Sequence, residues 1–236
     1  MAAITGGSGS GGTRAAAPAA VQEPPASATS EQRLAAALLR CMGRWGLAKT
    51  TIEDIAREAG MSRATAYRLF PGGKTAILDA ALAAEILRLV DQVRLRAADA
   101  PDLEERLVAV VHTASHFLAT HDALCFVREH EPVVFEQYLG WERLDAVLCA
   151  AGELLVPVLE PDLGDEARRT GTWLARLVVS YLQTPGASVD PTDAAGARRL
   201  VTQFVLPGLQ ERTAPVPALD DRSDPPRPAS GPTPRS

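Results

Sequence analysis

The residues best suited to recognition chemistry crowd into one stretch, Thr50 to Phe70, which reads TTIEDIAREAGMSRATAYRLF. Arg63 carries a guanidinium whose forked donors match guanine O6 and N7, Thr65 offers a hydroxyl and a methyl to a base, and Tyr67 suits a phosphate oxygen. Arg68 adds a cation, and Lys74 would bring an ammonium and free backbone N–H groups to a further phosphate at the start of the next helix. On a 100° wheel Ala66, Leu69 and Phe70 turn inward, whereas Ala64, Thr65, Tyr67 and Arg68 turn away and Arg63 sits at the tip. The residues expected to face a DNA duplex are therefore Thr50, Thr51, Ser62, Arg63, Ala64, Thr65, Tyr67, Arg68 and Lys74.

Two short helices and a turn must position that face. Thr51 caps the first, with Asp54 answering three residues on as in a capping box, and Ile52, Ile55, Ala56 and Ala59 point to a core. Ala56 is small where the second helix crosses. Gly60 falls where the chain leaves the helix most easily with positive φ, Met61 plugs the angle between the helices, and Ser62 caps the second helix. Arg63, Ala64 and Thr65 then occupy its first turn, the part of a recognition helix that approaches base edges. Together the parts make a helix-turn-helix.

Charge supports the reading locally. The whole chain has a net charge of −5, which argues against indiscriminate coating of nucleic acid. Residues 30–80 nevertheless hold eight Lys or Arg against five Asp or Glu, so the cations concentrate on the small N-terminal segment. Residues 81–236 carry fifteen basic and twenty-three acidic side chains.

Other candidate sites carry weaker patterns. His112 and His116 are spaced to share a metal on one helix, but they lie opposite its apolar stripe, so no metal is expected. Cys41, Cys125 and Cys149 show no paired spacing and read as reduced thiols. No Gly-rich phosphate loop, Gly-x-Ser-x-Gly elbow or HExxH pair is present, so no enzyme and no cofactor are expected. A helical scaffold using its helix-turn-helix as a protein contact is the main alternative, distinguished by salt-insensitive or absent duplex binding. A winged-helix protein would need a hairpin where a long helix is expected.

The surrounding chain reads as all-α, rich in Ala and Leu and poor in β-branched runs. Residues 1–29 and 211–236, dominated by small residues and Pro, read as disordered tails, leaving a DNA-binding domain at 30–73 and a larger helical domain at 74–210. Helices are expected over about 30–45, 51–59, 63–70, 74–98, 102–121, 122–130, 133–157, 165–183 and 191–210. No apolar run approaches the roughly 18 residues of a membrane span, and no leader is seen, so a cytoplasmic protein away from membranes is expected.

The pattern Thr51-x-x-Asp54-Ile55-Ala56-x-x-Ala59-Gly60-Met61-Ser62-x-x-Thr65-x-Tyr67-x-x-Phe70, followed by Lys74, resembles the N-terminal signature of the TetR family of bacterial regulators. The match covers about 45 residues; the remainder agrees in length and helical character. Leu69 stands where the family commonly has a polar residue, and the Pro71-Gly72-Gly73 link is one residue longer than usual. The resemblance implies a homodimeric transcriptional repressor, with an effector pocket among the middle helices and a dimer formed by the last two long helices. Phe117, Cys125, Phe126, Phe135, Trp141 and Trp173 are the candidates to line a pocket for a small apolar or amphipathic effector. Trp173, Leu174, Leu177, Val178, Tyr181, Leu200, Val201, Phe204 and Val205 are the candidates for the seam with a second copy, although an intrachain core explains their spacing equally well. A palindromic operator follows from two-fold pairing.

Overall fold

In a computed structural model, residues 27–134, 141–183 and 189–213 are described, and every regular element among them is helical. The order is α1 (Ser30–Trp45), α2 (Ile52–Glu58), α3 (Arg63–Leu69), α4 (Gly73–Ala97), α5 (Leu103–Thr120), α6 (Asp122–His130), α7 (Trp141–Leu163) and α8 (Ala167–Gln183). The last described segment contains α9 (Ala194–Leu200), a π-helical turn (Val201–Val205) and α10 (Leu206–Thr213). A 3₁₀ turn at Gly164–Glu166 joins α7 to α8. The tails beyond these limits, and most of the residues expected in them, lie outside the described residues.

Local rules account for several helix starts. Thr29 and Gln32 form a capping box on α1, Thr51 and Asp54 form one on α2, Ser62 caps α3 through the Thr65 amide, and Asp102 caps α5. The first core unites Leu34, Leu38, Ile55, Ala56 and Ala66 with Ile77, Leu78 and Ala81 of α4 and with Ala123 and Val127 of α6. The small domain is therefore closed from the far side by α6, and its packing extends past residue 73.

The second core gathers Val93, Leu107, Val111, Leu159, Leu174, Leu200, Val201 and Val205, from α4, α5, α7, α8 and the last segment. Its most extensive contact is between α7 and α8. Two expectations about this region change. Helix α7 does not stop at Pro157: it passes Pro157 and Pro161 and runs to Leu163. A proline removes one N–H and bends a helix, but both rings lie on the exposed side while Leu155, Val158 and Leu159 are buried opposite, and that packing carries the helix through.

The expected single helix over 191–210 is interrupted by the π turn. The wider turn inserts an extra residue between successive inward positions. Val205 thereby joins Leu200 and Val201 inside, and Phe204 swings out to 61% exposure.

Candidate nucleic-acid interface and its neighbouring cavity

Helix α3 is held by one face and offers the other. Ala66 is fully buried against the first core, with Met61, Leu69 and Phe70 packed beside it. Ser62, Arg63, Ala64, Tyr67 and Arg68 are exposed, and Thr65 is half-buried. Gly60, at φ 68°, makes the turn before them, in a region that costs a residue with a Cβ about 1 kcal/mol or more.

The exposed groups are lightly tethered. Arg63 Nη1 lies 2.5 Å from Glu53 Oε1 on α2, and its guanidinium sits 5.4 Å from the centre of the Tyr67 ring. Both members of the ion pair are solvent-exposed, so the pair contributes about 0–1 kcal/mol. A base edge can compete with that. The Thr65 hydroxyl is hydrogen-bonded to the capping Ser62 Oγ at 2.9 Å. Glu53 was not among the residues expected to matter; its pattern in sequence is that of an ordinary solvated acid.

Behind this face the domain is braced by charged groups. The Asp54 carboxyl is held below its ordinary range chiefly by hydrogen bonds from Thr51, and an ion pair with Arg57 adds to the effect. Glu58 is lowered first by the hydrogen bond from Arg40 Nε at 2.7 Å, with Arg44 assisting. Arg33 of α1 donates to the Ala59 carbonyl at 2.7 Å, closing the C-terminal end of α2.

Two expected contact residues turn their polar groups into the domain. Thr50 is buried, and its hydroxyl donates to the Gly46 carbonyl at 2.6 Å, so its side chain does not face a duplex. Lys74 sends its ammonium back into the domain, donating to the carbonyls of Leu47 at 2.9 Å and Thr50 at 3.0 Å. Both corrections share a cause: the loop between α1 and α2 has carbonyls without helical partners, and nearby donors satisfy them. Thr51 remains exposed at the cap of α2.

The same loop is gripped from the far end of α6. Glu131, the residue after α6, accepts from the amides of Leu47 at 2.6 Å and Ala48 at 3.1 Å. Its carboxylate lies where a Cβ on Gly46 would stand, and Gly46 has φ 85°. A glycine is required there twice over, by conformation and by space. Nothing local in the sequence marks Glu131, whose partners are more than eighty residues away.

Next to this junction is a cavity of about 230 Å³, walled by α1, α4, α5, α6, α7 and α8. Leu39, Met42, Leu78, Leu89, Phe117 and Val178 are among its lining residues, and Glu85, His121 and Gln183 are its polar ones. Of the expected pocket residues Phe117 lines this cavity. Cys125, Phe126 and Trp173 are not in the lining: the Cys125 thiol donates to the Ala119 carbonyl, Phe126 stacks on His130 at 4.4 Å, and Trp173 is 44% exposed. Phe135 and the side chain of Trp141 lie outside the described residues. Sequence periodicity identifies an apolar face but not which gap between helices stays open.

The expected dimer seam also divides. Leu174, Val178, Leu200, Val201 and Val205 are buried within the chain and belong to its own core. Leu177 and Tyr181 are partly buried against that core, while Trp173 and Phe204 project outward. Helical spacing places all nine on one broad side; only the packed backbone decides which of them look outward. His112 and His116 have ring centres 6.0 Å apart, and among the described residues no group of three metal-ligating side chains forms. Among the described residues no helix is long and apolar enough to cross a membrane.

Comparisons with known proteins agree with this geometry. Residues 34–81 match the model of the bacterial regulatory proteins of the tetR family. An HTH-type transcriptional regulator of Mycobacterium tuberculosis (strain ATCC 25618 / H37Rv) is 29% identical over 157 residues, covering 66% of this chain and 73% of that protein. Another, from Mycobacterium bovis (strain ATCC BAA-935 / AF2122/97), is 33% identical over 155 residues, covering 64% of this chain and 79% of that protein. The crystal structure of the TetR family repressor AlkX from Dietzia sp. strain DQ12-45-1b shares the fold, with a TM-score of 0.59 at 21% identity over 78% of this chain and 96% of that one. With its capped helix-turn-helix inside the matched segment and a larger helical domain behind it, the chain belongs to the TetR family of bacterial regulatory proteins.

Proposed function

We propose that two copies of this chain bind a palindromic DNA operator and repress transcription, and that a small apolar or amphipathic molecule in the cavity releases them. The observation that carries the DNA reading is the two-sided α3, with Ala66 sealed inside and Arg63, Tyr67 and Arg68 exposed outside. Trp173 and Phe204, large apolar groups left in solvent by α8 and the π turn, favour pairing of copies through that side. Two recognition helices on a two-fold axis read two half-sites about one helical turn, or multiples of it, apart.

The cavity favours a ligand response because its wall includes helices of both cores. Helix α6 contributes Ala123, Leu124 and Val127 to that wall and is followed by Glu131, which holds the loop preceding α2. Switching from near-full to near-zero occupancy requires the ligand to prefer the released form by about 5.5 kcal/mol, or ~10⁴-fold.

The test is selection of duplexes by the purified protein, followed by titration of the selected site with wild type and Arg63→Ala. Loss of about 1–3 kcal/mol with relaxed preference at one base pair is expected. Duplex binding that is absent, or insensitive to salt, overturns the DNA reading.

A further inference from the structure

The polar end of the cavity is built for a particular head group. Leu124 donates its amide to His121 Nδ1 at 3.3 Å, which leaves the hydrogen of the neutral ring on Nε2. That N–H faces Glu85 Oε2 at 3.2 Å. Arg88, one turn along α4, donates to the same oxygen at 2.6 Å and lies over the Phe117 ring at 5.0 Å. Glu85, His121 and Phe117 line the cavity, and Arg88, paired with Glu85, is not among the lining residues.

This arrangement discriminates by charge. The Glu85 carboxylate is already paired with the Arg88 guanidinium, so neither an anionic nor a cationic head finds an uncompensated opposite charge there. Either ion would also leave water for a wall made mostly of Leu, Val and Ala. A hydroxyl carries no charge to desolvate and can donate to the Glu85 carboxylate, while His121 Nε2 keeps its own bond to that carboxylate. The cavity of about 230 Å³, with its wall of aliphatic side chains, seats a hydrocarbon body beside that polar end.

We propose that the cavity takes an uncharged amphiphile with a hydrocarbon body and a single hydroxyl head that donates to the Glu85 carboxylate. The assignment rests on the ligand-responsive reading above and names the ligand class for the same site.

Isothermal titration of the full-length protein with 1-octanol, octanoate and octylamine at neutral pH tests it. Octanol binds, and each charged analogue binds at least about tenfold more weakly, a ratio equivalent to ~1.4 kcal/mol. Glu85→Gln narrows the deficit of octanoate, and Ala114→Phe, which fills the cavity, abolishes the octanol heat. Octanoate or octylamine binding as tightly as octanol to wild type overturns the proposal, as does the absence of octanol binding; that ranking needs no variant to fold. A parallel mobility-shift titration separates the two readings. Octanol that binds but leaves the duplex occupied keeps the head-group assignment and removes the ligand response, whereas release of the duplex by another compound, without octanol binding, does the reverse.

Discussion

Replacing Lys74 by methionine separates two roles that the same residue could hold. The structure makes its ammonium a brace, donating to the Leu47 and Thr50 carbonyls at 2.9 and 3.0 Å. Methionine keeps most of the apolar stem and removes both hydrogen bonds. A hydrogen bond to a charged group contributes ~1.5–3 kcal/mol. Lys74 is only partly buried, so water reaches the vacated carbonyls in part, and a loss of about 2 kcal/mol for the pair follows. For a chain of this size that lowers Tm by about 4–8 °C, read by circular dichroism at matched protein concentration. The salt dependence of duplex affinity gives the second readout, because each phosphate neutralised contributes about 0.9 to the slope of log K against log salt. Lys74→Met is expected to leave that slope unchanged. An unaltered Tm together with a slope reduced by about 0.9 would refute the brace and restore a phosphate contact.

Three other outcomes follow from the same geometry. Leu174→Ala should cost about 2–5 kcal/mol in urea unfolding because that side chain is wholly inside the chain, whereas Phe204→Glu should shift sedimentation toward monomer; the reverse pattern would mean that the core and the seam are misassigned. Asp54 and Glu58 have folded pKa values below their ordinary 3.8 and 4.5, so the stability they contribute is present above those values and lost as pH falls through the depressed folded ones. Tm should therefore drop as pH goes from about 5 toward 3, less steeply in Glu58→Gln, and identical acid profiles would show that the Arg40 partnership contributes nothing. Burial pushes the Cys41 thiol up to about 11, while Cys149 is exposed. A chromogenic thiol reagent at mildly alkaline pH should label Cys149 in the native protein and Cys41 only on unfolding; rapid native labelling of Cys41 would contradict its burial.

The capped helix-turn-helix was legible without coordinates because its signals act within four residues of one another. Thr51 and Asp54, Gly60, and Ser62 with Thr65 each specify a cap or turn through their own backbone, and the inward and outward sides of α3 follow from helical periodicity. Contacts between distant segments left no such mark. Thr50 and Lys74 belong by position to the recognition motif, yet the unsatisfied carbonyls of the α1–α2 loop draw them inward. Glu131 grips the same loop from the end of α6, and a π turn decides that Val205 is inside and Phe204 outside. The open space beside Phe117 likewise depends on how six helices meet. Sequence determines which faces want burial; the packed backbone selects their partners and the gaps that remain, because packing joins residues far apart in the chain.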